Sequence, residues 1–295
     1  MDDDLPDEAA EGADSGVFRR ADLLVALSDR GYELGPKLGE GGMGEVFTAR
    51  RTDTGEELAL KLLVTTAPAG LAQFAREFEV IAAARHPNLI ALHELVVLEG
   101  GAAFFTMERV DGRPFVDWVR DETPVGELPD LDRLERGLRQ LFAGVELLHA
   151  RGCIHRDLKP ANVLVTPVGR VVLLDFGLVT QLAEPSQGTT VEGKTLGTPS
   201  FLAPEVVLSG RVGPEADDYA LGVMIFECLT GRLPHRGLPW HLLDQQDGYA
   251  IPDPTLLVSD TPQWLREICM GLLEREPSAR LDAARVVERL RRREA

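Results

Sequence analysis

The sequence predicts an α+β protein of two lobes, a small one built on an antiparallel sheet with one main helix and a larger, mainly helical one. Three observations predict it. Short β-patterned segments separated by turn signals fill residues 32–63 and 89–108, with one helical segment between them. After Asp111-Gly112, apolar residues recur at helical spacing, most extensively over 131–151. A chain of 295 residues is also long enough to bury two cores.

The elements follow in order. Seven acidic and no basic residues lie within 1–15, a composition that predicts a disordered, solvated tail. Residues 18–27 have helical spacing and read either as a short helix packed on the body or as a flexible extension, so 1–31 precede the folded domain. A strand at 32–38 enters a glycine turn and another at 45–50 leaves it. Asp53-Thr54-Gly55 is a turn signal before a third strand at 57–63. Residues 70–84, rich in Ala, Glu and Phe, predict a helix that ends at His86-Pro87-Asn88. Strands at 89–98 and 102–108 flank the Gly100-Gly101 turn. The long helix at 131–151 stops at Gly152, and short strands at 163–165 and 171–174 follow a loop. Helices at 204–208, 216–230, 264–273 and 281–292 complete the chain. The small lobe therefore spans about 32–108, a connector 108–111 and the large lobe 112–290, with a basic end at 291–295.

Composition excludes several function classes. At 44% hydrophobic and 27% charged the chain reads as a soluble globular protein. A formal charge of −17 argues against nucleic-acid binding, which needs cationic surface. Cys153, Cys228 and Cys269 are far apart and odd in number, as expected of free thiols in a reducing compartment. No apolar run approaches the roughly 18 residues of a membrane span. The N-terminus lacks the basic and apolar regions of a signal peptide. A cytoplasmic location with no membrane contact within this chain is the expectation.

The chemistry concentrates in His155-Arg156-Asp157-Leu158-Lys159-Pro160-Ala161-Asn162. This loop holds a proton acceptor (Asp157), a phosphate-seeking cation (Lys159) and a metal-seeking amide (Asn162). Phosphoryl transfer from a nucleotide to a hydroxyl needs those groups together. Asp175-Phe176-Gly177 follows eighteen residues after Asp157. Upstream, residues 39–46 fit G-x-G-x-x-G-x-V, and Leu58-Ala59-Leu60-Lys61 fits the lysine-bearing strand that accompanies it. Ala203-Pro204-Glu205 closes the set. One glycine-rich turn is weak evidence, but five motifs in this order and spacing are strong. Together they resemble the protein kinase family over roughly residues 32–290. Lys159 resembles the serine/threonine branch, and Gly41-Gly42-Met43-Gly44 resembles its bacterial (Hanks-type) members.

That resemblance implies a bilobal kinase fold and a role for each residue. Asp157 would accept the proton of the attacking hydroxyl and Lys159 would neutralise the transferring phosphate. Asn162 and Asp175 would hold Mg²⁺, with Mn²⁺ as the alternative ion. Lys61 would bind the ATP phosphates and needs a glutamate from the following helix. Glu77 and Glu79 are the candidates, and Glu77, nine residues before His86, has the family's offset. The glycine loop, Leu38, Gly39, Glu40, Gly41, Gly42, Met43 and Gly44, would cover the phosphates. Val46, Ala59 and Leu164 would enclose the adenine, Met107 would lie behind it, and backbone groups of Glu108 and Val110 would bond its edge. For the apolar positions, plain core packing is compatible with that role.

Regulatory and architectural roles follow from the same resemblance. Thr189, Thr190 and Thr195 sit where relatives are phosphorylated, each read equally as a phosphosite and as an ordinary polar loop residue. Arg156 would pair with such a phosphate. Thr198 would bond the catalytic Asp and Lys. Glu205 and Arg280 would pair in the large lobe, and Asp217 would steady the catalytic loop. The implied partners are ATP and proteins offering Ser or Thr, with a transient homodimer for autophosphorylation in trans. Two rival readings are a scaffolding pseudokinase, opposed by intact Lys61, Asp157, Asn162 and Asp175, and a small-molecule kinase, opposed by Lys159-Pro160, Gly197-Thr198 and Ala203-Pro204-Glu205.

Overall fold

β1 (Tyr32–Gly41), β2 (Gly44–Arg51), β3 (Glu57–Val64), β4 (Leu92–Val97) and β5 (Ala102–Glu108) form an antiparallel sheet in the order β1-β2-β3-β5-β4. The computed structural model describes residues 20–41, 44–64, 68–98, 102–175, 199–235 and 251–293. Register decides which side chains share a face. Val46 lies opposite Lys61, Lys61 opposite Phe105, and Ala59 opposite Met107. Alternation along each strand then puts all five on one face, and Phe47, Leu58, Leu60, Leu62 and Phe104 on the other.

Each face has its own helix. α2 (Pro68–Ala82) lays Phe74 and Phe78 against Phe105, with ring centroids 6.0 and 5.5 Å apart. α1 (Arg20–Asp29) seals the opposite face by burying Leu23 and Leu27 among Phe47, Leu58, Leu60, Leu62 and Phe104. Of the two readings of 18–27, a helix on the body is the one seen.

The large lobe opens with β6 (Arg113–Pro114) and α3 (Phe115–Arg120), then α4 (Leu131–Ala150). β6, β7 (Val163–Val165) and β8 (Val171–Leu173) form a three-stranded sheet. α5 (Pro204–Ser209), α6 (Pro214–Thr230), α7 (Gln263–Leu272) and α8 (Ala283–Arg292) follow. Local chemistry sets the ends. Asp130 and Asp282 cap α4 and α8 by accepting from the N–H groups of Arg133 and Arg285. Gly210 and Gly231 close α5 and α6 in the left-handed conformation. α6 is buried on all sides from Asp217 to Phe226, as its nearly uniform apolar sequence requires. Among the described residues no helix is long and apolar enough to cross a membrane.

The strand expected at 89–98 begins only at Leu92. Residues 88–90 turn instead to the large lobe. Ile90 N–H donates to Leu173 O at 3.0 Å, Leu173 N–H donates to Asn88 O at 2.9 Å, and Asn88 Nδ2 donates to Val171 O at 2.7 Å. Their backbone groups are satisfied by β8, so they have none to offer β5. This places the α2–β4 connector as a cross-lobe fastening beside the chain connector after β5.

Leu27 is 1% exposed. Leu27→Ala is expected to lower unfolding free energy in urea by about 2–4 kcal/mol. A loss near zero would show that α1 does not pack on the sheet.

Candidate active site

The loop after α4 takes its shape from a carboxylate beneath it. Asp217, 2% exposed on α6, accepts from His155 N–H at 2.7 Å and from Arg156 N–H at 2.8 Å. His149 Nε2, on α4, lies 2.9 Å from the same carboxylate. Burial pushes the His149 pKa down, and the bond to Asp217 outweighs that and raises it. Arg156 takes φ +67°, a strained conformation for a residue with a side chain, which these contacts hold in place. The His155 ring is fully buried with Nε2 2.8 Å from Leu174 O, and burial lowers its pKa. It is a packing residue, not a base.

Past this support, Asp157, Lys159 and Asn162 come together. Asp157 Oδ2 accepts from Lys159 Nζ at 2.8 Å and from Asn162 Nδ2 at 2.9 Å. Asn162 Nδ2 also donates to Asp157 O at 2.8 Å, so the amide oxygen faces away from the loop carboxylate. Asn162 O in turn accepts from Leu174 N–H at 2.8 Å, which ties the loop to the residue preceding Asp175. Asp175 has φ +45°, a second strained position in the site.

Lys61 is 5% exposed, and its ammonium pairs with Asp175 Oδ1 at 2.6 Å. In this structure the counter-ion of Lys61 is Asp175, whereas the resemblance implies Glu77 for that place. Glu77 lies instead 4.0 Å from Arg156 Nη1. A buried ammonium needs a counter-charge, and Asp175 supplies one.

On the sheet side, Val46, Ala59 and Met107 share the face that bears Lys61, and Ala59 and Met107 are nearly buried. Leu164 and Val110 are half-buried on the large-lobe side. In the glycine hairpin Gly39 pairs with Val46, Glu40 with Glu45, and Gly41 with Gly44. Lys37 Nζ bridges Glu40 and Glu45 at 2.5 Å each, pinning the hairpin. Gly44 has φ +130°, and a Cβ there would stand 2.0 Å from Leu62 O. Close packing on β3 is a reason for glycine that the sequence did not reveal. Leu38 lies on β1 and is exposed. Gly42, Met43, Thr189, Thr190, Thr195 and Thr198 lie outside the described residues.

In the lower lobe Arg280 Nη1 and Nη2 reach Glu205 Oε1 and Oε2 at 2.7 and 3.0 Å. Arg280 also donates to the carbonyls of Glu215, Glu274 and Arg275 and lies 5.1 Å over the Tyr219 ring. Beside Asp217, Asp218 is 2% exposed, and its Oδ1 has no hydrogen-bond partner among the described residues. Burial pushes its carboxyl up to about 7. Sequence reasoning missed His149, Asp218 and the Glu108–Arg170 pair. His149 lies 68 positions from its partner, and nothing local in the chain marks it.

A sheet lobe with one inner helix, a helical lobe, and an Asp-Lys-Asn loop facing a lysine–aspartate pair together define a protein kinase domain. Residues 32–290 match the protein kinase domain family, and the chain belongs to that family. It is 36% identical over 259 residues to serine/threonine-protein kinase pkn2 of Myxococcus xanthus, covering 84% of this chain and 30% of that protein. It is 32% identical over 263 residues to serine/threonine-protein kinase PknA of Mycobacterium tuberculosis, covering 87% and 59%. The chain thus spans well under two thirds of the length of these relatives. The PknI kinase domain of Mycobacterium tuberculosis shares the fold with a TM-score of 0.66 at 23% identity, over 90% of this chain and 96% of that one.

Two outcomes follow. Arg280→Ala leaves Glu205 half-buried without its partner and is expected to cost about 3–5 kcal/mol in urea unfolding. A neutral effect would show the pair to be incidental. For Asp218 the folded pKa of about 7 lies above the ordinary 3.8, so the folded state binds the extra proton between those values. Stability contributed by that proton is lost as pH rises toward 7. Wild type should therefore lose stability relative to Asp218→Asn between about pH 5 and pH 7. Parallel pH profiles for the two proteins would refute the shift.

Proposed function

We propose that this chain is a serine/threonine protein kinase that transfers the γ-phosphate of ATP to protein hydroxyls. The observation that carries the reading is the convergence of Asp157, Lys159 and Asn162 on one another, tied through Leu174 to the Lys61–Asp175 pair. The two lysine–aspartate pairs, Lys61–Asp175 and Lys159–Asp157, support this reading.

The donor set fits magnesium nucleotide. The Asn162 amide oxygen and the Asp175 carboxylate are hard oxygen donors of the kind Mg²⁺ prefers, and Mn²⁺ accepts the same set. Two such ligands leave most of an octahedral shell to phosphates and water. When bound, the ion supplies charge neutralisation at the phosphates. Lys61 would exchange Asp175 for phosphate oxygens. Val46, Ala59, Met107 and Leu164 offer apolar walls to a planar base, and the main chain of Glu108 and Val110 offers its polar edge.

The protein's own part in the chemistry lies with Asp157. Lys159 and Asn162 both bond Oδ2, and Oδ1 carries no bond among the described residues. Oδ1 is thus the atom to take the proton from a substrate hydroxyl, while Lys159 stands beside the receiving oxygen with a positive charge. Arg156, 4.0 Å from Glu77, would pair with a phosphothreonine. Thr189, Thr190 and Thr195 are the proposed acceptors, through a transient homodimer.

Incubation with labelled ATP and Mg²⁺, alone and with a generic protein substrate, tests the reading. Label should appear on Ser or Thr. Asp157→Asn is expected to lose at least about 10²-fold in rate while still binding nucleotide. Equal activity in that variant sinks the role of Asp157. Nucleotide binding without transfer by the wild type would favour a scaffold, and label confined to a small molecule would favour a different acceptor class.

A further inference from the structure

Arg170 stands in the turn between β7 and β8, where phosphoryl transfer requires no cation. Its guanidinium nevertheless makes three directed bonds. Nη1 and Nη2 donate to Glu108 Oε1 and Oε2 at 2.5 and 3.0 Å, and Nε donates to Pro87 O at 2.6 Å. The arginine is anchored at its base, since its N–H donates to Thr166 Oγ1 at 3.1 Å and its carbonyl accepts from Thr166 N–H at 2.9 Å. The glutamate is anchored too, through Glu108 N–H to Ala91 O at 2.8 Å. Burial pushes the Glu108 carboxyl up, and the bonds and charge of Arg170 override this to hold it below the usual carboxylate range. The next residue, Arg109, points its charge the other way, to Glu57 at the start of β3. The connector between the lobes is therefore held from both sides.

We propose that Arg170 is a positioning residue for the nucleotide. It ties the Glu108 carboxylate and the Pro87 carbonyl to one guanidinium, and so fixes the main-chain groups of Glu108 and Val110 against the adenine edge. The inference rests on the kinase reading above. Its logic is geometric. Hydrogen bonds to a base weaken steeply as they bend, so the connector must not rotate about its own axis. A planar guanidinium fork resists rotation of the carboxylate that it holds, whereas a lysine ammonium supplies a point charge with no preferred plane.

The experiment compares wild type, Arg170→Ala, Arg170→Lys, Glu108→Gln and the Arg170→Ala/Glu108→Gln double variant, each checked for a cooperative unfolding transition. Affinity for a fluorescent ADP analogue is measured beside KM for ATP and kcat. Arg170→Ala should raise both the analogue Kd and KM by about tenfold with kcat within about twofold. Arg170→Lys should recover part of the loss, and the double variant should be no worse than the worse single one. A fall in kcat with an unchanged Kd, full additivity in the double variant, or complete rescue by lysine would overturn the proposal. If the Ala variant fails to fold, the Lys and Gln variants decide it by the same split. A wild type that binds the analogue but transfers no phosphate would refute the kinase activity alone, and the Kd series would still judge Arg170.

Discussion

The Asp217 carboxylate is the contact on which the site depends. It gathers two consecutive backbone N–H groups, those of His155 and Arg156, together with the His149 ring. Buried acceptors of this kind are strong because water cannot compete for them. The bond to Arg156 N–H is what makes a left-handed residue tolerable one position before Asp157. The direction in which Asp157 leaves the loop is thereby set from below, by a helix that is itself immobilised on every side. Substrate-facing chemistry rests on a core helix and not on the loop's own preferences.

A second constraint works across the cleft. The small lobe has apolar side chains on both faces of its sheet, and two helices divide the work of covering them. α1 closes the outer face. α2 covers part of the inner face and leaves Val46, Ala59 and Lys61 beside it. The Asn88 segment then binds β8 by its backbone, while Gln140 accepts from Asn88 Nδ2 and from Val171 N–H at 3.0 Å each. The lobes are thus joined by a hydrogen-bonded patch as well as by the chain after Glu108. Arg170 lies between these two attachments and touches both.

How much of this was legible in the chain depended on distance along it. Asp157, Lys159 and Asn162 lie within one loop, so their meeting follows from local geometry. The strands and long helices showed in the alternation and helical spacing of apolar residues. Glu205, Asp217 and Arg280 came from resemblance, because the contacts that pair them with the loop and with each other close over 61 to 75 positions. The Lys61–Asp175 pair was not legible because it closes over 114 positions, and the choice between Glu77 and Glu79 turns on how α2 sits, which no local pattern encodes. Residues 89 and 90 have strand-like composition, yet tertiary contacts took their backbone elsewhere. Asp218 looks like Asp217 in sequence; one gathers three donors, and the other has an oxygen with no partner among the described residues.

The Lys61–Asp175 pair has a consequence for how the cleft fills. A phosphate arriving alone meets an ammonium whose charge is already answered, and a cation arriving alone meets a carboxylate in the same condition. A cation alone would strand the buried Lys61 ammonium at a cost of desolvation, and a phosphate alone would leave the partly exposed Asp175 carboxylate without its partner. Arriving together, they accept one member each, and no charge is left uncompensated. Occupancy of the cleft is in this sense a double displacement, with each visitor making room for the other.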